Sequence, residues 1–261
     1  MSIKGRSAVV TGSNSGIGLG IAEALARQGA AVALNSFSDR DEDHALAERI
    51  AAETGARVVY LSANMSDPGA CRDLVARAKE ALGGLDILVN NAGIQHVAAI
   101  EDFPPESWDR VIAINLSSAF HTTAAALPLM RGAGWGRVVN IASAHGLTAS
   151  PFKSAYVAAK HGVIGLTKVT ALETAEEPIT ANAICPGYVL TPLVEAQIPE
   201  TMEKYGKDRE TVIRDVLLQR QPSKAFATVE QIGGTAVFLC SAAADQITGT
   251  SISVDGGWTA L

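Results

Sequence analysis

Cysteine, aromatic residues and surplus positive charge are all scarce in this chain. Its three cysteines, Cys71, Cys185 and Cys240, are odd in number, widely spaced and free of any C-x-x-C pair. That pattern excludes a disulfide framework and a thiolate zinc site, and it predicts buried, reduced thiols. His44, His96, His121 and His161 show no metal-ligand spacing, so no metal is assigned. Lys and Arg number 21 against 27 Asp and Glu, and no basic run offsets the deficit, which excludes nucleic acid as a partner. No uninterrupted apolar stretch approaches the roughly 20 residues that cross a bilayer, so no membrane partner is expected. Met1 to Ser7 leads almost directly into a strand without the apolar region of a signal peptide, and the expected address is the cytoplasm.

What is present is a regular alternation. Runs rich in Val, Ile and Ala at 7–11, 31–35, 57–62, 87–90, 137–141, 179–184 and 250–254 read as strands. They show little polar alternation, as strands buried on both faces do. Helical patterns fit between them at 16–28, 41–54, 67–82, 105–130, 154–174 and 229–241. This βαβ order predicts an α/β fold, a parallel sheet between helix layers with right-handed crossovers. No linker or repeat interrupts it, so 1–261 reads as one domain. Residues 190–223 break the rhythm with polar sequence and three prolines. An insertion of that size predicts a lid or binding segment.

Two constellations carry chemistry. Thr11-Gly12-Ser13-Asn14-Ser15-Gly16-Ile17-Gly18 lies between the first strand and the first helix. Glycines there let the backbone approach a pyrophosphate, and the helix N-terminus supplies oriented N–H groups. Three glycines that serve packing alone are the alternative. Further on, Tyr156 and Lys160 stand four residues apart on one helix face, with Ser143 just past a strand. A cation one turn away favours a phenolate, which predicts a lowered Tyr156 pKa. A hydroxyl at Ser143 can then hold the oxygen of a carbonyl or alcohol.

The glycine spacing here is G-x-x-x-G-x-G. With Asn90-Asn91-Ala92-Gly93 after the fourth strand, Asn115, the Ser143/Tyr156/Lys160 set and Pro186-Gly187 after the sixth strand, it resembles the short-chain dehydrogenase/reductase family over essentially the whole chain. That resemblance implies a single-domain Rossmann-type fold: a doubly wound, seven-stranded parallel sheet with helices on both faces and a late helical lid at 190–223. It also implies a homotetramer. A nicotinamide dinucleotide would meet Gly12, Ser13, Asn14, Ser15, Gly16, Ile17, Gly18 and Phe37, then Asn64 and Met65 at the adenine edge. Asn91, Ala92, Gly93, Pro186, Gly187, Val189 and Thr191, with Tyr156 and Lys160, would line the rest of its path. In the implied roles Tyr156 is acid and base, Ser143 orients substrate, Lys160 binds the nicotinamide ribose and Asn115 supports a water chain. The region 35–39 offers no carboxylate at Ser36 for the ribose hydroxyls and no nearby cation for a 2′-phosphate. A phosphate dianion needs a cation, so NAD is the expected cofactor.

The neighbours of these motifs narrow the resemblance to the branch of the family that acts on 3-hydroxybutyrate. Gln95, His145 and Lys153 come from three loops that a parallel sheet gathers at one edge. Lys153, three residues before Tyr156, places a cation beside the phenol and suits a small 3-hydroxy acid substrate, carboxylate inward. Gln197 in the insertion and Trp258 near the C-terminus complete the resemblance as lid contact and wall. Tyr188 departs from it, since Trp is commoner there, and leaves longer 3-hydroxy acids open. The rival enzyme is an NADPH-dependent 3-oxoacyl thioester reductase, against which Lys153 argues. A dinucleotide-binding regulator without turnover gives no reason to keep Ser143, Tyr156 and Lys160 together.

Overall fold

A computed structural model describes residues 3–261, apart from the side chain of Leu193. Met1 and Ser2, which begin the stretch read above as leaderless, lie outside the described residues. Seven parallel strands form one sheet in the order β3-β2-β1-β4-β5-β6-β7. They are β1 (Ser7–Val10), β2 (Ala31–Ser36), β3 (Val58–Ser62), β4 (Ile87–Asn90), β5 (Gly136–Ile141), β6 (Ile179–Pro186) and β7 (Ser251–Val254). Each expected strand is present, displaced by at most two residues at an end. Adjacent residues of a strand face opposite layers, so both sides need apolar cover. Val10, Ile87 and Val89 pack with Ile21, Leu25 and Leu239 on one side. Val9 and Leu88 pack with Leu74, Val75 and Met130 on the other. Each fully buried Leu or Ile contributes about 1.5–3 kcal/mol to this sandwich.

The helices are α1 (Gly16–Arg27), α2 (Asp41–Thr54), α3 (Pro68–Leu82), α4 (Pro105–Ile112), α5 (Ser118–Ala133), α6 (Ser154–Glu173), α7 (Pro192–Tyr205), α8 (Arg209–Thr211) and α9 (Val229–Leu239). The helix expected over 105–130 is divided. A π-helical turn, Ala113–Ser117, separates α4 from α5 and carries Asn115. The late insertion is helical as expected, built from α7, α8 and a second π turn, Val212–Leu217. All three cysteines are free and buried. Among the described residues, no helix is long and apolar enough to cross a membrane.

Strand order reverses between β1, which pairs with β2, and β4, which pairs with β5. Crevices at the carboxyl ends of strands open at such a switch point. A buried polar network fixes this edge. Thr122 donates to Asn90 at 2.6 Å, Asn90 to Asn140 at 2.8 Å, and Asn140 to Thr167 at 2.8 Å. It ties β4 and β5 to α5 and α6, the helix that carries Tyr156 and Lys160.

Candidate active site

At the switch point lies a cavity of about 850 Å³, lined by the glycine turn, the ends of β2 to β6, and Ser143, Tyr156 and Lys160. Gly12 and Gly16 have φ of +60° and +56°, a backbone that L side chains rarely adopt. A Cβ on Gly12 would also stand 2.9 Å from the Ala92 Cα. No side chain caps the start of α1, and its first turn holds no carboxylate. Its N–H groups therefore face the cavity as donors for an anion. The residues present fit a dinucleotide pyrophosphate on these grounds.

The glycine-turn residues do not all line the cavity. Gly12, Asn14, Ser15, Gly16 and Ile17 do. Ser13 is fully buried; its hydroxyl donates to Val10 O at 2.7 Å and accepts from Asn35 N at 2.9 Å, so the fold consumes it. A Cβ on Gly18 would overlap Gly12 O and Asn91 Nδ2, which makes close packing its role. Asn91 donates to Thr11 O and Gly12 O at 3.0 and 2.8 Å, locking β4 to the turn. Phe37, Asn64, Met65, Ala92, Gly93, Pro186, Gly187 and Thr191 line the cavity, whereas Val189 is buried and does not.

Asn115 does not line the cavity. Its amide accepts from Ile94 N at 2.8 Å and donates to Ile94 O at 2.9 Å, closing both backbone groups of the loop after Gly93. Ser143, extended at the mouth of β5, accepts from His145 N at 3.1 Å. Lys160 is buried and donates to Ile141 O at 2.7 Å; burial lowers its pKa to about 8. Its Nζ lies 5.6 Å from the centre of the Tyr156 ring. The expected lowering of the phenol pKa is not found in the chain alone. Burial raises the Tyr156 phenol above its ordinary value, and the Ser143 hydroxyl opposes that only in part. Desolvation is the largest cause, and the Lys160 ammonium is directed at a backbone carbonyl.

Beside Tyr156 an aromatic wall forms. His145 meets Tyr156 and Trp258 edge-on at 6.0 and 5.0 Å, and Tyr188 stacks on Trp258 at 5.8 Å. His145 Nε2 lies 2.8 Å from Ser150 Oγ, and burial, then Lys153 and Arg220, lowers its pKa to about 4. The ring is thus neutral at physiological pH. Lys153 is half-buried; burial and then Arg220 lower its pKa. Neither Lys153 nor Arg220 forms an ion pair among the described residues. Arg220, from the end of the insertion, donates to Ala149 O at 2.8 Å. It went unnoticed in the sequence, where nothing relates position 220 to the loop at 149–153. Arg110, which lines the cavity, was also missed. Of the expected substrate contacts, Gln95, Ser143 and Tyr156 line the cavity, whereas His145, Lys153, Tyr188, Gln197 and Trp258 do not. On α7 the buried residue is Ile198, and Gln197, about 100° around the helix, faces solvent.

Known proteins bear on this geometry. Residues 12–259 match a family described as enoyl-(acyl carrier protein) reductase. The D-beta-hydroxybutyrate dehydrogenase of Rhizobium meliloti (strain 1021) is 56% identical over 255 residues, 98% of this chain and 99% of its own length. That of Cupriavidus necator is 57% identical over 258 residues, covering 99% of each chain. In structure, the L-sorbose reductase of Gluconobacter frateurii, complexed with NADPH and L-sorbose, superimposes with a TM-score of 0.94 at 31% identity, covering 100% of this chain and 99% of that one.

Proposed function

The chain belongs to the short-chain dehydrogenase/reductase family, and from that premise we propose that it interconverts (R)-3-hydroxybutyrate and acetoacetate with NAD. The observation that carries the substrate is Lys153: a half-buried cation with no carboxylate partner among the described residues, beside the aromatic wall and three residues before Tyr156. A desolvated, unpaired charge is costly, and an anionic substrate group offsets that cost. The two D-beta-hydroxybutyrate dehydrogenases matched over nearly full length support the same reading.

In the proposed mechanism Lys153 and Gln95 hold the carboxylate, while His145, Tyr188 and Trp258 enclose the short carbon chain. Ser143 donates to the reacting oxygen. Tyr156 takes the hydroxyl proton in oxidation and returns it in reduction. The bound dinucleotide supplies hydride acceptance from C3, and its positive ring favours the phenolate that burial opposes. Lys160, already desolvated, binds the ribose hydroxyls next to that ring. Asn115, whose amide fixes the loop after Gly93, supports the water chain that carries the proton outward. The segment 190–223 serves as the lid, and Gln197 reaches the substrate only when α7 closes. Within this reading, the one-domain chain assembles as a homotetramer and works in the cytoplasm.

NAD rather than NADP is supported by Arg40, the cation that precedes α2, being engaged with Asp43 at 3.2 Å. The test is the appearance of reduced nicotinamide absorbance with NAD, and separately NADP, across 3-hydroxy acids, uncharged alcohols and 3-oxoacyl thioesters. A good rate with an uncharged alcohol and none with (R)-3-hydroxybutyrate would overturn the assignment.

A further inference from the structure

Ser36 closes β2 without a carboxylate, yet one reaches the glycine turn from another element. Asp43, in the first turn of α2, is 2% exposed. Its Oδ1 accepts from Asn14 Nδ2 at 3.0 Å and from Arg40 Nη2 at 3.2 Å. Its Oδ2 accepts from Ser38 Oγ at 2.8 Å and from Arg40 N and Nε at 3.2 Å. Arg40 Nη1 faces Glu42 at 3.4 Å. Asn14 lines the cavity, as do Ser36 and Phe37. One carboxylate oxygen therefore joins the Arg40 guanidinium to a cavity-lining amide.

We propose that the Arg40–Asp43 pair sets the preference between the two nicotinamide dinucleotides, with Asp43 acting as a latch that withholds Arg40 from a 2′-phosphate. This rests on the reading of the cavity as a dinucleotide site. A 2′-phosphate adds an anion that an arginine at this end of the site accommodates. Here Nε and Nη2 of the guanidinium are held by Asp43 and Nη1 faces Glu42 at 3.4 Å, and Asp43 itself repels a phosphate approaching Asn14. Arg40 and Asp43 are specificity-determining residues that act through availability of charge.

Calorimetric titration of the full chain with ADP-ribose and with 2′-phospho-ADP-ribose reads the latch without turnover. In Asp43→Asn the ratio of the two dissociation constants is expected to move toward the phosphorylated ligand by at least about tenfold, the value of one charge-assisted hydrogen bond. Adding Arg40→Met to that variant should abolish the gain. An unchanged ratio in Asp43→Asn, or a gain that survives loss of Arg40, overturns the proposal. If circular dichroism shows that Asp43→Asn does not fold, Asp43→Ser decides: it keeps a hydroxyl acceptor at this position and releases the Arg40 guanidinium, so it should give the same shift, and no shift overturns the proposal. Wild-type protein that binds neither ligand removes the dinucleotide reading and the latch with it. Binding of ADP-ribose with a ratio insensitive to these variants removes the latch alone.

Discussion

Replacing Lys153 with Met should separate recognition of the substrate from chemistry upon it. Lys153 stands at the start of α6 ahead of Tyr156, is half-buried, feels the Arg220 charge and forms no ion pair with a carboxylate among the described residues. A hydrogen bond from a charged donor is worth about 1.5–3 kcal/mol when its partner is otherwise buried, roughly 10- to 150-fold in affinity. Partial exposure and the remaining Arg220 place the expected loss toward the lower end, about tenfold to thirtyfold. The contact is the same in ground and transition states, so KM should rise with kcat nearly unchanged. Initial rates with (R)-3-hydroxybutyrate and with its methyl ester, which keeps the reacting carbon and loses the charge, isolate the effect. The ester should be indifferent to the substitution. Stability should not fall, because burial lowers the Lys153 pKa and the folded state therefore holds that proton less tightly than the unfolded chain. An unchanged KM for the acid, or an equal loss with the ester, would refute the carboxylate pocket.

Other outcomes follow from the same geometry. Tyr156→Phe should lower kcat by about 10²–10⁴-fold while leaving cofactor affinity, followed by fluorescence titration, nearly intact. His145, shifted from 6.5 to about 4, binds fewer protons folded than unfolded between those values. Its contribution to stability is complete above pH 6.5 and lost as pH falls to 4, so His145→Gln should flatten the denaturation midpoint across that window. Lys160, shifted from 10.5 to about 8, follows the same sign at higher pH. Wild-type unfolding free energy should gain on Lys160→Met as pH rises from 8 to 10.5, and parallel curves would contradict the desolvation argument. Asn140→Ala removes one partner each from Asn90 Nδ2 and Thr167 Oγ1, which keep Thr123 Oγ1 and Val163 O, and should cost about 1 kcal/mol by urea denaturation.

Much of the fold was legible because strands buried on both faces carry an apolar signal that needs no partner to interpret. The ends of 87–90 and 41–54 were placed to the residue. The helix over 105–130 was misread as continuous, since nothing local announces a π turn. What opens it is Asn115, whose amide closes both backbone groups of Ile94, twenty-one positions away. The same reason hid Arg220, Arg110 and Asp43, which enter the site only through tertiary placement. Ser13 and Gly18 show the converse. Their motif was recognised, but burial and close approach reserve them for packing, leaving the neighbouring residues to face the cavity. The Tyr-x-x-x-Lys spacing gave the helix face but not the phenol's upward shift in the chain alone, because spacing reports proximity and says nothing of desolvation.

That last discrepancy has a physical consequence for the order of events. In the chain alone, Tyr156 is raised by burial, while Lys160 and Lys153 are both lowered by it. All three shifts oppose the charged form, so the site as built is least suited to proton abstraction before anything enters it. An anion near Lys153 and hydroxyls near Lys160 would each restore the ammonium that burial disfavours, and a positive charge near Tyr156 would restore the phenolate. Ligands that relieve such penalties bind the folded state alone and raise its stability with concentration. Saturating dinucleotide should therefore raise the thermal midpoint of wild type more than that of Lys160→Met. Equal gains in the two proteins would mean that the buried ammonium takes no part in holding the cofactor.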